Sequence, residues 1–205
     1  MPRLSTALSL SVLAAMLPFT QRPLRADTVF IDFETLPDGS SIADGTPLTT
    51  QYPGLTFTNT TVISAGISLN EFEFPPHSGT NVVFDDGGPI TIDFGAPITS
   101  FSGYFTYLEP ITLAGLDASD VEVASALSAY STNDALFGDP GSNPNEFLSL
   151  GFAGGVSEVT ITGDPLGDSF TLDDVTYTTA VPEPNSVLLL LSCTGGLLAL
   201  RKRLL

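Results

Sequence analysis

Between residues 27 and 180 the apolar positions recur in short alternating stretches, not at helical spacing. Side chains of a strand point alternately to its two faces, so a period of two marks a half-buried strand. Residues 28–34 give the clearest first strand, with Val29, Ile31 and Phe33 on one face and Phe30, Asp32 and Glu34 on the other. Leu36-Pro37-Asp38-Gly39 then turns the chain. Further short strands are predicted over 55–58, 61–63, 81–84 and 90–94, separated by Pro-Pro and Asp-Asp-Gly-Gly turn signals. Residues 98–108 make a longer one, in which Phe101, Gly103, Phe105 and Tyr107 share one face and Ser102, Tyr104 and Thr106 the other. Segments 121–130, 147–152, 156–162 and 169–177 complete about nine or ten strands. The stretch nearest to a helix, 114–129, is rich in Val, Ser and Thr and reads as strand. The expectation is an all-β chain forming a single β-sandwich of jelly-roll-like type.

The last strand breaks its own rhythm. In Phe170-Thr171-Leu172-Asp173-Asp174-Val175-Thr176-Tyr177, the first two large apolar residues have one parity and the last two have the other. Strict alternation cannot bury all four. A bulge at Asp173-Asp174 would, because one extra residue shifts the phase of everything after it.

Two apolar segments lie outside this pattern. Residues 1–26 carry Arg3, an apolar stretch from Leu4 to Phe19, and Arg22 and Arg25 before Ala26, the order of a secretory signal peptide. At the other end, Val181-Pro182-Glu183-Pro184 precedes an apolar run and then Arg201, Lys202 and Arg203. The fourteen residues 187–200 reach roughly 21 Å as a helix, short of the ~30 Å hydrocarbon core, so snorkelling cations or local bilayer thinning must make up the difference. A basic cluster places that end in the cytoplasm and the domain outside. Residues 181–205 resemble the PEP-CTERM sorting signal of bacterial exported proteins. That resemblance covers the tail alone and implies recognition by an exosortase-type membrane peptidase, a cut near Pro182-Glu183-Pro184, a membrane-held helix before processing, and a cell-envelope or extracellular product in an exopolysaccharide or biofilm setting.

Charge sharpens this division. All six Lys and Arg residues of the chain fall within 1–26 or 181–205. Of the 23 acidic residues only Glu183 lies beyond Ala180, so residues 27–180 hold 22 carboxylates and, apart from His77, no cationic side chain. Nucleic acid is excluded as a partner, since phosphate recognition rests on Lys and Arg. Divalent cations, polycations and neutral glycans stay compatible. The one cysteine, Cys193, lies in the tail, so the 154 residues of the domain must hold together without disulfides.

With no Lys or Arg nearby, a carboxylate must be solvated, accept hydrogen bonds, or bind a cation. First and last strands commonly lie together in β-sandwiches, which would bring Asp32 or Glu34 towards Asp173 or Asp174. Structural Ca²⁺, which takes oxygen ligands, would resolve their repulsion; a resemblance to Ca²⁺-stabilised carbohydrate-binding sandwiches points the same way. The alternative is that they are solvated edge carboxylates. Asp85-Asp86-Gly87-Gly88 reads as a hairpin turn, as do Asp164, Gly167 and Asp168. His77 is expected on a loop, and a Ser-His-Asp arrangement through Ser78 lacks a nucleophile elbow. Residues 131–146 form a polar loop and a candidate functional surface.

The expected function is a non-enzymatic structural or adhesive role linked to exopolysaccharide. Its alternative is a carbohydrate-binding module using Tyr52, Tyr104, Tyr107 or Tyr130 to stack on sugar rings.

Overall fold

A computed structural model of the chain describes residues 26–180. The signal-peptide segment up to residue 25 and the sorting-signal residues Val181, Pro182, Glu183, Pro184, Arg201, Lys202 and Arg203 lie outside the described residues. The described chain is all-β. Its ten strands are β1 (Thr28–Ile31), β2 (Thr46–Pro47), β3 (Leu55–Thr58), β4 (Thr60–Ser64), β5 (Asn81–Asp85), β6 (Ile90–Tyr107), β7 (Thr112–Leu116), β8 (Glu122–Leu127), β9 (Glu146–Thr162) and β10 (Phe170–Thr179). They form one antiparallel ladder in the order β2-β4-β5-β10-β6-β9-β7-β8, with β1 also on β10 and β3 also on β6.

The ladder folds into a sandwich because its two longest strands bend. Each of β6 and β9 reads in the sequence as two strands, interrupted by Gly95-Ala96-Pro97 in one and Gly154-Gly155 in the other. In the fold these interruptions lie side by side: a Cβ added at Gly155 would sit 3.2 Å from Pro97, and the β6–β9 register shifts on both sides of Ile98. Bends of this kind let one strand pass from one layer to the other, so both faces close on a single core. Phe33, Phe101, Phe105, Tyr107, Ile161 and Phe170 lie at its centre with 2% exposure or less.

Two further expectations change in the structure. The first strand stops at Ile31 instead of Glu34, because Phe33 takes φ 59° and the Asp32 carboxylate accepts the Glu34 N–H at 3.0 Å. The left-handed turn costs energy for a bulky residue, and it delivers the Phe33 ring to the core at 0% exposure. Strand β7 is not separated from β8 in the sequence reading, where 114–129 is one strand-like stretch. Gly115 interrupts its alternation, and the reason is tertiary: a Cβ there would lie 2.3 Å from the Phe152 ring.

Asp85 is more than a turn residue. It ends β5 at 0% exposure, and its carboxylate accepts the Ser169 N–H (2.8 Å), the Ser169 hydroxyl (2.6 Å) and the Phe170 N–H (3.0 Å). This fixes where β10 begins. The turn itself lies one step on, at Gly87 (φ 87°) and Gly88 (φ 146°). Asp164 to Asp168 does turn the chain as expected, with Asp164 accepting the Leu166 N–H at 2.7 Å.

Asp85→Ala leaves three buried donors without an acceptor, so it is expected to destabilise the domain by about 3 kcal/mol. Urea unfolding of residues 26–180 measures this; a loss below about 0.5 kcal/mol, typical of a surface change, contradicts the anchoring role.

Candidate functional site: an aromatic platform over a carboxylate bulge

The site starts from the phase break in the last strand. On β10, Asp173 stands opposite Tyr104 and the next paired residue, Thr176, opposite Ser102, so two residues of β10 face one of β6. Asp174 carries the strain of this bulge at φ 50°. The shift has the expected result. Phe170, Leu172, Val175 and Tyr177 are all buried, at 2%, 1%, 2% and 8% exposure.

The bulge also aims two consecutive carboxylates at one loop, which regular alternation forbids. Asp173 Oδ2 accepts the N–H groups of His77 (2.8 Å) and Ser78 (2.9 Å), and its Oδ1 accepts the Asp174 N–H (2.7 Å). Asp174 Oδ1 accepts the Ser78 hydroxyl at 2.8 Å, while its Oδ2 meets His77 Nδ1 at 2.6 Å. With Asp174 ionised, that contact requires the proton on Nδ1 and leaves Nε2 free on the far side of the ring. On the other flank of the loop, Glu34 accepts the N–H groups of Thr80 and Asn81, both at 2.7 Å. Asn145 adds a bond from its Nδ2 to Pro75 O at 3.0 Å.

Held in this way, the His77 ring stacks on Tyr104 with centroids 3.5 Å apart and planes 12° apart. Tyr104 in turn packs against Phe147, its cross-strand partner on β9, at 5.2 Å. Phe147 is 54% exposed, and the His77 side chain is 35% exposed. One register step along, Ser102 stands opposite Ser149 on β9 and Thr176 on β10. The result is an outward-facing strip of three rings beside hydroxyl groups on a rigid sheet. Such a surface can take the apolar face of a ring-shaped ligand and hydrogen-bond its edge.

The four carboxylates expected to share a cation are placed differently. Asp173 and Asp174 point at one side of the 75–81 loop and Glu34 at the other, while Asp32 is occupied by the Glu34 N–H. Among the described residues no group of three or more His, Cys, Asp or Glu side chains is gathered in a form that could hold a metal ion. Their negative charge is met instead by N–H and O–H donors. Ser78 gives its hydroxyl to Asp174, not to the imidazole, so the Ser-His-Asp geometry of a hydrolase is not formed.

Of the four tyrosines considered for sugar stacking, Tyr104 belongs to the platform. Tyr52 and Tyr107 do not: at 7% and 0% exposure they are core, and Tyr107 gives its hydroxyl to Glu146. Tyr130 is half-buried and bonds Gly141 O at 3.0 Å, tying down the 131–146 loop. That loop closes the end of the core through its buried residues and presents exposed Leu136 and Phe137 on its outside. Its Asn133, at 0% exposure, accepts the Tyr107 N–H and donates to the carbonyls of Phe105 and Asn143. His77 and Phe147 are the platform residues that sequence reasoning passed over. Phe147 has a legible signal, since it falls out of phase with the buried Leu148 and Phe152.

No family model matches the chain, and no curated protein does. Among solved structures it is similar to the K2 cleaved adhesin domain of Lys-gingipain, with a TM-score of 0.45 and 15% identity over 74% of this chain and 99% of that one. The K1 cleaved adhesin domain of Lys-gingipain from Porphyromonas gingivalis W83 gives 0.43 and 10% over 75% and 99%. A family 29 carbohydrate-binding module mutant complexed with mannohexaose gives 0.40 and 12% over 76% and 94%. Similarities of this size say nothing about a ligand of this chain.

The buried carboxyls set a pH dependence. Burial pushes Asp173 up to about 7; the Ser78 N–H opposes this, the Asp174 charge adds to it, and the N–H groups of Asp174 and His77 oppose it further. Burial likewise raises Asp85 against its bonds from Ser169 and Phe170. For each, the folded state binds more protons than the unfolded state between the ordinary carboxyl value and the raised one. Stability is therefore greatest near the lower limit and declines as pH climbs towards the raised value, about 7 for Asp173, by about 1.4 kcal/mol per pH unit for each proton fully involved. Repulsion among the remaining carboxylates has the same sign. The melting temperature is expected to be higher at pH 5 than at pH 7.5, and Asp173→Asn to flatten that slope; a slope unchanged in the variant assigns it to other groups.

Proposed function

We propose that residues 27–180 form an exported glycan-binding domain whose contact surface is the His77, Tyr104 and Phe147 platform. The observation that supports this most is the stacked, partly exposed aromatic strip, held in place by the carboxylate bulge before any ligand arrives. A pre-positioned platform spends little ordering entropy on binding. The 22 carboxylates of residues 27–180 favour a neutral glycan over uronate-rich or sulfated ones, which the field of the domain would repel. An adhesive role in an exopolysaccharide setting is the wider form of the same proposal.

The positions of the domain ends fit export and tail processing. The Thr179 N–H donates to Asp27 O at 2.9 Å, so the chain enters and leaves the domain at one pole. Asp173, beside the platform, lies six residues back along β10, roughly 20 Å from that pole at strand rise. A domain tethered through residues 181–205 would thus present the platform away from its tether. The Pro182-Glu183-Pro184 motif and the Arg201, Lys202 and Arg203 cluster support sorting by an exosortase-type peptidase, with the tail in the membrane before the cut.

Affinity electrophoresis through neutral polysaccharides tests binding. Tyr104→Ala and Phe147→Ala are each expected to weaken it by about 2 kcal/mol, near thirtyfold, as for the central aromatic anchors of a binding surface. Retention unaffected by both changes would remove the platform as the contact. Intact-mass measurement of the protein recovered from its host addresses the ends: processing predicts a mass lacking residues 1–26 and the segment after the Pro-Glu-Pro motif, and a full-length mass contradicts it.

A further inference from the structure

A cavity of about 360 Å³ opens between strands β4, β5 and β10 on one side and the 68–74 loop on the other. None of its lining residues belongs to the aromatic platform. Alternation builds its floor: Val62 and Val83 go to the core at 0% exposure, so their neighbours Ile63 and Phe84 turn outward and stay half-buried. Phe84 stands opposite Thr171 on β10. The loop adds Leu69, which is buried, and Phe74, whose N–H donates to Asn70 O at 2.8 Å. Ile67, Phe72 and Leu166, each at least 75% exposed, lie within two residues of a lining residue. Large apolar side chains left out beside an apolar hollow of this size fit a small organic ligand.

The polar groups decide its charge. Ser68 gives its hydroxyl to Asp44, and Asn70 gives its Nδ2 to Glu73. Both are thus engaged within the protein. Asp168 also lines the cavity, and among the described residues its carboxylate accepts no hydrogen bond, unlike those of Asp85, Asp173 and Asp174. Its backbone is fixed, with φ 59° and its N–H given to Asp85 O at 2.7 Å. Residues 27–180 hold no Lys or Arg to answer this charge. A cation that meets it must therefore come from outside the domain.

We propose that the cavity binds a small organic ammonium ion, its apolar body against Phe74 and Phe84 and its charge beside Asp168. Aromatic walls attract a cation as well as an apolar surface. The field of 22 carboxylates draws in a positive ligand and opposes an anion of the same shape. This site is separate from the platform and does not depend on the glycan reading.

Tryptamine, tryptophol and indolepropionate carry one ring with an ammonium, a hydroxyl or a carboxylate, so together they separate charge from shape. Residues 26–180 suit the test, because the core cluster and every strand pairing lie within them. Titration followed through the amide signals of Leu69, Phe74 and Phe84 is expected to rank tryptamine first, tryptophol about tenfold weaker and indolepropionate weaker still. Asp168→Asn keeps a residue type that tolerates the left-handed backbone. It is expected to lower tryptamine to the tryptophol level and to leave tryptophol and the melting curve unchanged. Phe84→Ala is expected to weaken both, and Tyr104→Ala, on the platform, neither. Signals unmoved by all three ligands, equal affinity for amine and acid, or an amine preference that survives Asp168→Asn would each overturn the proposal. Loss of tryptamine binding in Tyr104→Ala would do so too, by moving the ligand to the platform.

Discussion

Without lysine or arginine between residues 27 and 180, every carboxylate that enters the interior must find uncharged donors. An unpaired buried charge costs several kcal/mol, so this constraint decides where the chain can pass. Asp85, Asp134, Asp173 and Asp174 are all at 6% exposure or less, and each is met by backbone N–H or hydroxyl groups. Three of them join segments far apart in sequence: Asp85 reaches 169–170, and Asp173 and Asp174 reach 77–78. They do the work that disulfides or ion pairs do elsewhere. Among the described residues no buried side-chain nitrogen or oxygen lacks a hydrogen-bond partner, which is how an interior rich in carboxylates stays affordable.

The candidate site is a direct product of that constraint. A bulge satisfies two demands at once: it restores Val175 and Tyr177 to the core, and it points Asp173 and Asp174 at the same loop. The loop then has little freedom, gripped by those carboxylates and by Glu34. Its histidine is laid flat on Tyr104, and Tyr104 is fixed by the β6–β9 register against Phe147. Core packing, carboxylate satisfaction and surface display are thus parts of one arrangement. The glycan reading gains from this because its contact surface is stiff for reasons independent of any ligand.

The bends in β6 and β9 have a comparable double role. They turn one continuous ladder into two layers around the core, and they set Ser102 and Tyr104 of β6 between β9 and β10, where the 75–81 loop can lie on Tyr104. Glycine and proline at the corner are there for close approach and direction, not as strand ends. Their presence is why the sequence alone suggests separate strands where the fold has continuous ones.

Much of the architecture was legible in local pattern. Alternation located most strands within a residue or two, put Phe101, Phe105 and Tyr107 on one face and Tyr104 on the other, and marked the bulge through the parity conflict between Leu172 and Val175. Those features follow from the period of two, which is a property of neighbouring residues. Which carboxylate meets which donor is not. Asp32, Glu34, Asp173 and Asp174 looked like partners in one cluster because the first and last strands pair, as they do. Only the fold shows that the 75–81 loop takes up Glu34, Asp173 and Asp174, and that Asp85 belongs to β10 as much as to its own turn. The same holds for the tyrosines: of the four considered for stacking, depth in the core, which is set by distant strands, removes Tyr52 and Tyr107, a bond to Gly141 O ties down Tyr130, and Tyr104 is left beside His77 and Phe147. The sequence determined an acidic β-domain carrying its cations only in the flanking segments, since charge and alternation are local and additive. The tertiary structure decided which of its side chains form a surface, because that depends on pairings across about a hundred residues.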